Sequence, residues 1–260
     1  MAKAKGIHVH SFFKLGKAPT KKDKRNFKLA ALLKVLPPVP ASWDYDLAHP
    51  KFQIPMPMFG NDEFGDCVMA GRAHQTLRFE VVEQQKVIGV TENDVLREYW
   101  KEEGGKGPAF DRGLVVLDSL NLWRKKGWQA GGRKYNIYAF AQVNQKNHTE
   151  VQAAIYLLTG AGAGLSLPMS AQAQITAGQV WDVTTGPSSA PGSWGGHYVF
   201  LTGYTPQGPV CVTWGQKQAM TWRFVDKYCD ELYAIVDNRD KFLKKSPLDV
   251  KQLDAYLKQL

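Results

Sequence analysis

The chain has 260 residues, 44% of them hydrophobic, and eight Trp. It is therefore long enough to bury the core of one large domain or two packed lobes without disulfides or a structural metal. The net charge of +9 is local: residues 1–36 hold ten Lys/Arg and one Asp, while the rest carries 23 basic and 23 acidic groups. That neutral body gives no electrostatic case for a polyanion groove, and the basic excess belongs to an N-terminal arm.

The opening MAKAKGIHVHSFFKLGK lacks the apolar core of a secretory signal, and no stretch approaches the roughly 18 apolar residues of a membrane helix. Three Cys without a CxxC motif fit reduced thiols better than a disulfide framework or a zinc site. A cytoplasmic location is the default expectation, with no metal and no cofactor, and a Cys211–Cys229 pair is the alternative.

Within the arm, Leu29, Leu32, Leu33 and Leu36 beside KKDKR suggest a short amphipathic basic helix, stopped by LPPVP. The plain expectation for residues 1–36 is a solvated, partly disordered tail; a grip on nucleic acid, a partner protein or a membrane surface, or a propeptide role, is the alternative. From Cys67 to Gln85 the chain reads as a helix with Ala70, Ala73, Leu77 and Val81 on one stripe, and Asp66 stands at its N-cap. Thr91 and Asp94 form a capping-box pattern for a helix through Val95, Tyr99 and Trp100. A third helix fits Gly113–Lys126, apolar at Val116, Leu117, Leu120 and Trp123.

After residue 133 the texture is β-like. One helix is expected at Thr149–Leu158, and strands at Ala163–Leu167, His197–Tyr204, Val210–Trp214, Met220–Phe224 and Glu231–Val236. TTGPSSAPGSWGG reads as a mobile, turn-rich surface loop. Ser246, Pro247, Val250, Leu253, Leu257 and Leu260 mark a capped terminal helix. The expected layout is a basic arm (1–36), a helical lobe (37–135), a β lobe (136–240) and a C-terminal helix (241–260).

A thiol becomes a strong nucleophile only when ionised, and a helix N-terminus favours the thiolate through its unpaired N–H groups and its dipole. Cys67 has that position. The charge of Asp66 opposes ionisation unless it is engaged in capping, so a cationic neighbour is needed. His197 is the candidate: Gly195-Gly196 permits close backbone approach and YVFLTGY alternates as a strand, so a ring fixed there and facing the thiol makes an ion pair. His74, seven residues beyond Cys67, lies about 10 Å along the helix and is expected in the core or on a helix face. His8, His10, His49 and His148 suit surface or capping positions.

The order of these segments resembles the papain-like cysteine peptidase family over roughly residues 40–237. The resemblance rests on Asn61-Asp62-Glu63-Phe64-Gly65-Asp66-Cys67, on Gly195-Gly196-His197-Tyr198-Val199 and on Thr213-Trp214-Gly215. Phage and prophage members with a Gly-Asp-Cys motif look closest in pattern. The resemblance implies an α+β, two-lobe fold with the Cys helix packed on an antiparallel lobe bearing the His strand, and a substrate cleft between them. It also implies Cys67 as nucleophile, His197 as base, Asn61 as an oxyanion donor and Trp214 as a shield over the imidazole.

Three departures stand out. Val212 occupies the position of the family's imidazole-orienting Asn, which leaves that task to a backbone carbonyl, to Thr213, to another residue or to nothing. Asn61 replaces a longer Gln. Phe64 replaces a disulfide Cys, and Val68 replaces the Trp after the nucleophile. Two functions follow as expectations: a thiol hydrolase acting on peptide or isopeptide bonds, or a catalytically degenerate papain-like domain serving as a structural or binding component, for example of a phage particle.

Overall fold

The computed structural model describes residues 13–33, 38–237 and 250–257. Its centre is a seven-stranded antiparallel sheet in the order β4-β9-β5-β6-β7-β8, with β1 joining β6 beyond its bulge. These strands are β1 (Trp43–Asp44), β4 (Ala139–Gln142), β5 (Ala161–Leu167), β6 (Gly195–Thr205), β7 (Gly208–Thr213), β8 (Gln216–Ala219) and β9 (Cys229–Val236). A separate hairpin pairs β2 (Trp128–Ala130) with β3 (Arg133–Tyr135).

Helices surround the sheet: α1 (Leu29–Leu32), α2 (Tyr45–Ala48), α3 (Cys67–Gln84), α4 (Glu92–Glu102), α5 (Val116–Lys126), α6 (His148–Leu157), α7 (Met169–Thr176), α8 (Trp222–Tyr228) and α9 (Val250–Leu257). α3 is buried around its whole circumference as far as Val81. One stripe of apolar residues therefore understates its role, because its polar residues are also inside and must be paired. Arg72 meets Glu102 at 2.7 Å and the Ser119 carbonyl, and Arg78 forks onto Asp46 at 2.9 and 2.7 Å. Gly71 leaves room for the Tyr198 ring, which a Cβ there would meet at 2.6 Å, so the helix lies close against β6.

The Thr91–Asp94 capping box forms as expected, with both reciprocal bonds present. The third helix begins at Val116 rather than Gly113, because Gly113 takes a φ of 74° and Leu114 pairs with a preceding segment of chain. Met220–Phe224 is not a strand. Thr221 caps the Phe224 amide and starts α8, and α7 is a further helix that the β-like texture conceals. A short apolar run does not by itself separate the two states. All three cysteines are buried free thiols.

Residues 13–33 do not form a solvated tail. Leu29, Leu32 and Leu33 are buried, and the segment before them lies as a strap across the body. Leu36, His8, His10, Ser246, Pro247 and Leu260 lie outside the described residues. No helix among the described residues is long and apolar enough to cross a membrane.

Candidate active site

Cys67 is the first residue of α3, and Asp66 stands at the N-cap. The Asp66 side chain makes no capping bond, contrary to the expectation, since its φ of −93° and ψ of 15° differ from the extended backbone that points a capping oxygen at the first turn. Burial holds its carboxyl well above the usual range. The Asn61 amide opposes this only in part, because its Nδ2 donates to the Phe64 carbonyl at 3.0 Å and the Lys14 carbonyl at 3.4 Å.

Strand β6 passes the start of α3 so that the Tyr198 amide donates to Cys67 Sγ at 3.4 Å. The adjacent His197 is fully buried; its ring stacks on Trp214 with centroids 4.0 Å apart and planes 12° apart. Nε2 lies 2.7 Å from Thr213 Oγ1, and Nδ1 meets no hydrogen-bond partner. Thr213 thus contacts the nitrogen for which Val212 offers nothing. Val212 is buried, and pairs through its backbone with Phe200 and Lys217.

Trp214 and Gly215 form the two-residue turn between β7 and β8, with φ of 43° and 74°. Positive φ at both centres matches the right-handed twist of a hairpin, and at a non-glycine residue it costs about 1–2 kcal/mol. That turn holds the indole flat against the imidazole. Cys67, Asn61, Thr213 and Trp214 line one small cavity together with Tyr198 and Val212; His197 stacks on Trp214 but does not line it. His74 also lines this cavity and is buried against Phe59, a core histidine as expected.

The site is covered by the chain itself. Lys14 O accepts from Trp214 Nε1 at 3.1 Å as well as from Asn61, and Lys14 N donates to Asn61 O. Phe13 packs on Trp214 with centroids 4.8 Å apart. Gly16 O accepts from Leu114 N, Lys17 N donates to Gly196 O, and Ala18 N donates to Leu114 O. The strap therefore ties the Cys67 side of the molecule to the His197 side. Only glycine fits at residue 16, where a Cβ would lie 1.7 Å from the Gly65 carbonyl oxygen.

Exclusion of water sets the electrostatics. Burial pushes the Cys67 thiol up to about 12; the Tyr198 amide pulls it down, the charge of Asp66 adds to the rise, and the Gly16 amide and Lys17 lower it again. Burial alone holds His197 down to about 3. Thiol and imidazole are both neutral under the strap and no hydrogen bond joins them. The ion pair expected from the sequence is absent from this covered arrangement because neither charge has water or a counter-ion to support it.

No local pattern marks the strap, since Lys14-Leu15-Gly16-Lys17 looks like part of an unpatterned basic tail, and a covering segment is expected only as the propeptide alternative for the arm. The sequence reading missed the Tyr198 amide, which no side-chain pattern reports. For metal binding, one group among the described residues has carboxylate oxygens within 4.8 Å of one another: Glu80, Glu83 and Asp237. Glu80 lies about 20 Å along α3 from Cys67 at the helical rise, so this group is remote from the thiol.

The fold is that of the papain-like cysteine proteases, an α+β arrangement of helices on an antiparallel sheet. The chain is similar to xylellain, a cysteine protease from Xylella fastidiosa, with a TM-score of 0.67 and 16% identity over 90% of this chain and 100% of that one. It is similar to the Carica candamarcensis cysteine protease CMS1MS2, with a TM-score of 0.53 and 16% identity over 77% and 100% of the two chains. Likeness extends to proCathepsin B S9 from Trypanosoma congolense, with a TM-score of 0.55 and 10% identity over 90% and 86%. No family model matches the chain, and no curated protein matches it by sequence. At these identities the similarity is one of fold.

Proposed function

We propose that the chain is a thiol hydrolase of peptide or isopeptide bonds, with Cys67 as nucleophile and His197 as base. The observation that carries this reading is the junction of α3 and β6: a thiol at a helix N-terminus, a backbone amide on its sulfur, and the next ring along the strand held by a hydroxyl on one nitrogen and free on the other.

With Nε2–H donating to Thr213, Nδ1 carries the lone pair that takes the thiol proton once the strap is displaced. Sγ attacks the carbonyl carbon, and the oxyanion accepts from the Cys67 N–H and from Asn61 Nδ2. The imidazolium then protonates the leaving amine. The neutral imidazole next takes a proton from an incoming water, whose oxygen adds to the thioester carbon, and the C–S bond breaks to release the acid and return the proton to Sγ. Trp214 keeps water from the imidazole face, which strengthens its attraction to the thiolate. Lys14 O already occupies the Asn61 donor, which supports reading that donor as aimed at a carbonyl oxygen.

The second reading is a catalytically degenerate papain-like domain, for example a phage structural component whose basic arm contacts nucleic acid or a partner protein. Val212 and the neutral, unconnected thiol and imidazole favour it. Hydrolysis of a peptide library by the full chain carrying Gly16→Val, abolished by Cys67→Ala, is the expected result for the hydrolase. Absence of turnover, together with Cys67 alkylation no faster than that of an ordinary free thiol and without a bell-shaped pH profile, is the result for the scaffold.

A further inference from the structure

The peptide unit between Phe64 and Gly65, just before the proposed nucleophile, is held at both of its polar ends. Its N–H, on Gly65, donates to the Asp111 carboxylate, 3.1 Å from Oδ1 and 3.0 Å from Oδ2. Its carbonyl, on Phe64, accepts from Asn61 Nδ2 at 3.0 Å. The carboxylate is fixed in turn, because the Tyr99 hydroxyl donates to Asp111 Oδ1 and accepts from the Gly113 amide at 3.0 Å. Tyr99 is fully buried in α4, which makes its hydroxyl a rigid anchor. Residue 65 has to be glycine for the carboxylate to come this close: a Cβ there would lie 2.9 Å from Asp111 Oδ1.

We infer that Asp111 is a positioning residue for the oxyanion, acting through the Phe64–Gly65 peptide on the amide of Asn61. A trans peptide unit is planar with its N–H and C=O pointing in opposite directions, so holding the N–H end sets the direction of the carbonyl. A carboxylate holds it more firmly than a neutral acceptor does. The Phe64 carbonyl takes one of the two Nδ2 hydrogens of Asn61, which settles the rotation of the carboxamide and aims the other hydrogen. Under the strap that other hydrogen faces Lys14 O at 3.4 Å. With the strap displaced it is the one an oxyanion accepts. The side chain of Asn, one methylene shorter than the Gln it replaces, has less reach with which to compensate for a misplaced loop.

This inference rests on the hydrolase reading for its consequence, and it is tested in the full chain carrying Gly16→Val. Asp111→Ala is expected to lower kcat on a cleaved peptide by about tenfold while KM changes by less than about twofold, because the oxyanion forms only in the transition state. Asp111→Asn keeps an acceptor for the Gly65 N–H without the charge and should lose only about threefold. Asn61→Ala alone should cost about 100-fold. Because Asp111 acts through Asn61, adding Asp111→Ala to Asn61→Ala should cost less than about twofold more. A full tenfold further loss in that background, or a rise in KM that accounts for the whole effect, overturns the inference. Asp111 is an exposed residue, so its truncation spares the core. Should Asp111→Ala nevertheless fail to fold by circular dichroism, Tyr99→Phe frees the carboxylate and makes the same comparison.

A readout without turnover separates this inference from the hydrolase reading. In the NMR spectrum of the isotope-labelled Gly16→Val chain, the side-chain NH2 signals of Asn61 are identified by their loss in Asn61→Ala. Asp111→Ala should speed the exchange of those protons with water by about tenfold, and Asp111→Asn by less. Faster exchange in a chain that cleaves no peptide keeps the positioning role and overturns the hydrolase. Cleavage by a chain whose Asn61 protons exchange no faster after Asp111→Ala does the reverse.

Discussion

The hydroxyl of Thr213 lies 2.7 Å from Nε2 of His197, and both groups are buried. A hydroxyl can accept from the ring or donate to it, so it fixes the tautomer less firmly than a carboxamide oxygen, which only accepts. Thr213→Val keeps the shape and removes the partner. The proposed hydrolase activity should fall by about tenfold to a hundredfold in kcat/KM, as for other residues that orient a working imidazole. Thr213→Asn should retain more activity than Thr213→Val, measured on the same peptide with the strap displaced. Equal rates for the wild type and Thr213→Val would remove Thr213 from the site.

Gly16→Val forces the strap away from Gly65, because the new Cβ falls 1.7 Å from a carbonyl oxygen that cannot move without α3. Water then reaches Cys67, and the burial that pushes its thiol up to about 12 is relieved. Alkylation by iodoacetamide at pH 7.5 should accelerate at least about tenfold over the wild type, since each unit of thiol pKa is tenfold in thiolate at neutral pH. Mass spectrometry of the labelled chain locates the modification among three buried thiols. An unchanged rate would show that something other than the strap covers the sulfur.

How much of this was legible in the sequence differs by element. α3, α4 and β6 were, because a long periodic run, a capping box and a largely apolar, β-branched and aromatic run after Gly-Gly are each local signals. β6 is nonetheless buried continuously from His197 to Tyr204 and not on alternate residues as expected. α7 and α8 were not: both are short, and their stability comes from packing, such as Trp181 against Phe224 and Ala171 O, rather than from their own pattern. The meeting of Asn61, Cys67 and Trp214 was foreseen only through the family resemblance, since nothing in local sequence brings residues so far apart together. The strap was illegible for a physical reason. Its docking relies on backbone bonds at Lys14, Gly16 and Lys17 and on one lysine whose partners, Asp230 and Glu231, lie more than 200 residues away.

Asp66 carries a cost that a single isosteric change should relieve. Burial raises its carboxyl well above 3.8, so the folded chain holds that proton after the unfolded chain has lost it. An acid with a raised folded-state pKa lowers stability as pH rises beyond the unfolded value, and the penalty is absent below it. Asp66→Asn cannot lose a proton. The variant should therefore be more stable than the wild type at pH 8, with the difference fading toward pH 4. Urea denaturation across that range measures it, and a constant difference at every pH would mean that packing and not ionisation separates the two.

His74 sets part of the acid limit of the fold. Burial, assisted by the charge of Arg78, holds its imidazole down to about 3 from 6.5, while the Pro57 carbonyl acts weakly against this. The folded ring stays neutral while the unfolded chain takes up a proton below 6.5, so stability falls as pH drops from 6.5 to about 3 and levels off below that. His197 acts in the same sense and is present in both proteins of the comparison. His74→Gln should lose about 1 kcal/mol of packing at pH 7 from the contact with Phe59. Its stability should then decline less steeply on acidification, so that the curves for variant and wild type converge and cross before pH 4. Parallel curves in urea melts at half-unit steps of pH would show that the His74 ring is accessible to protons in the folded chain, and that the acid limb belongs to His197 and other groups.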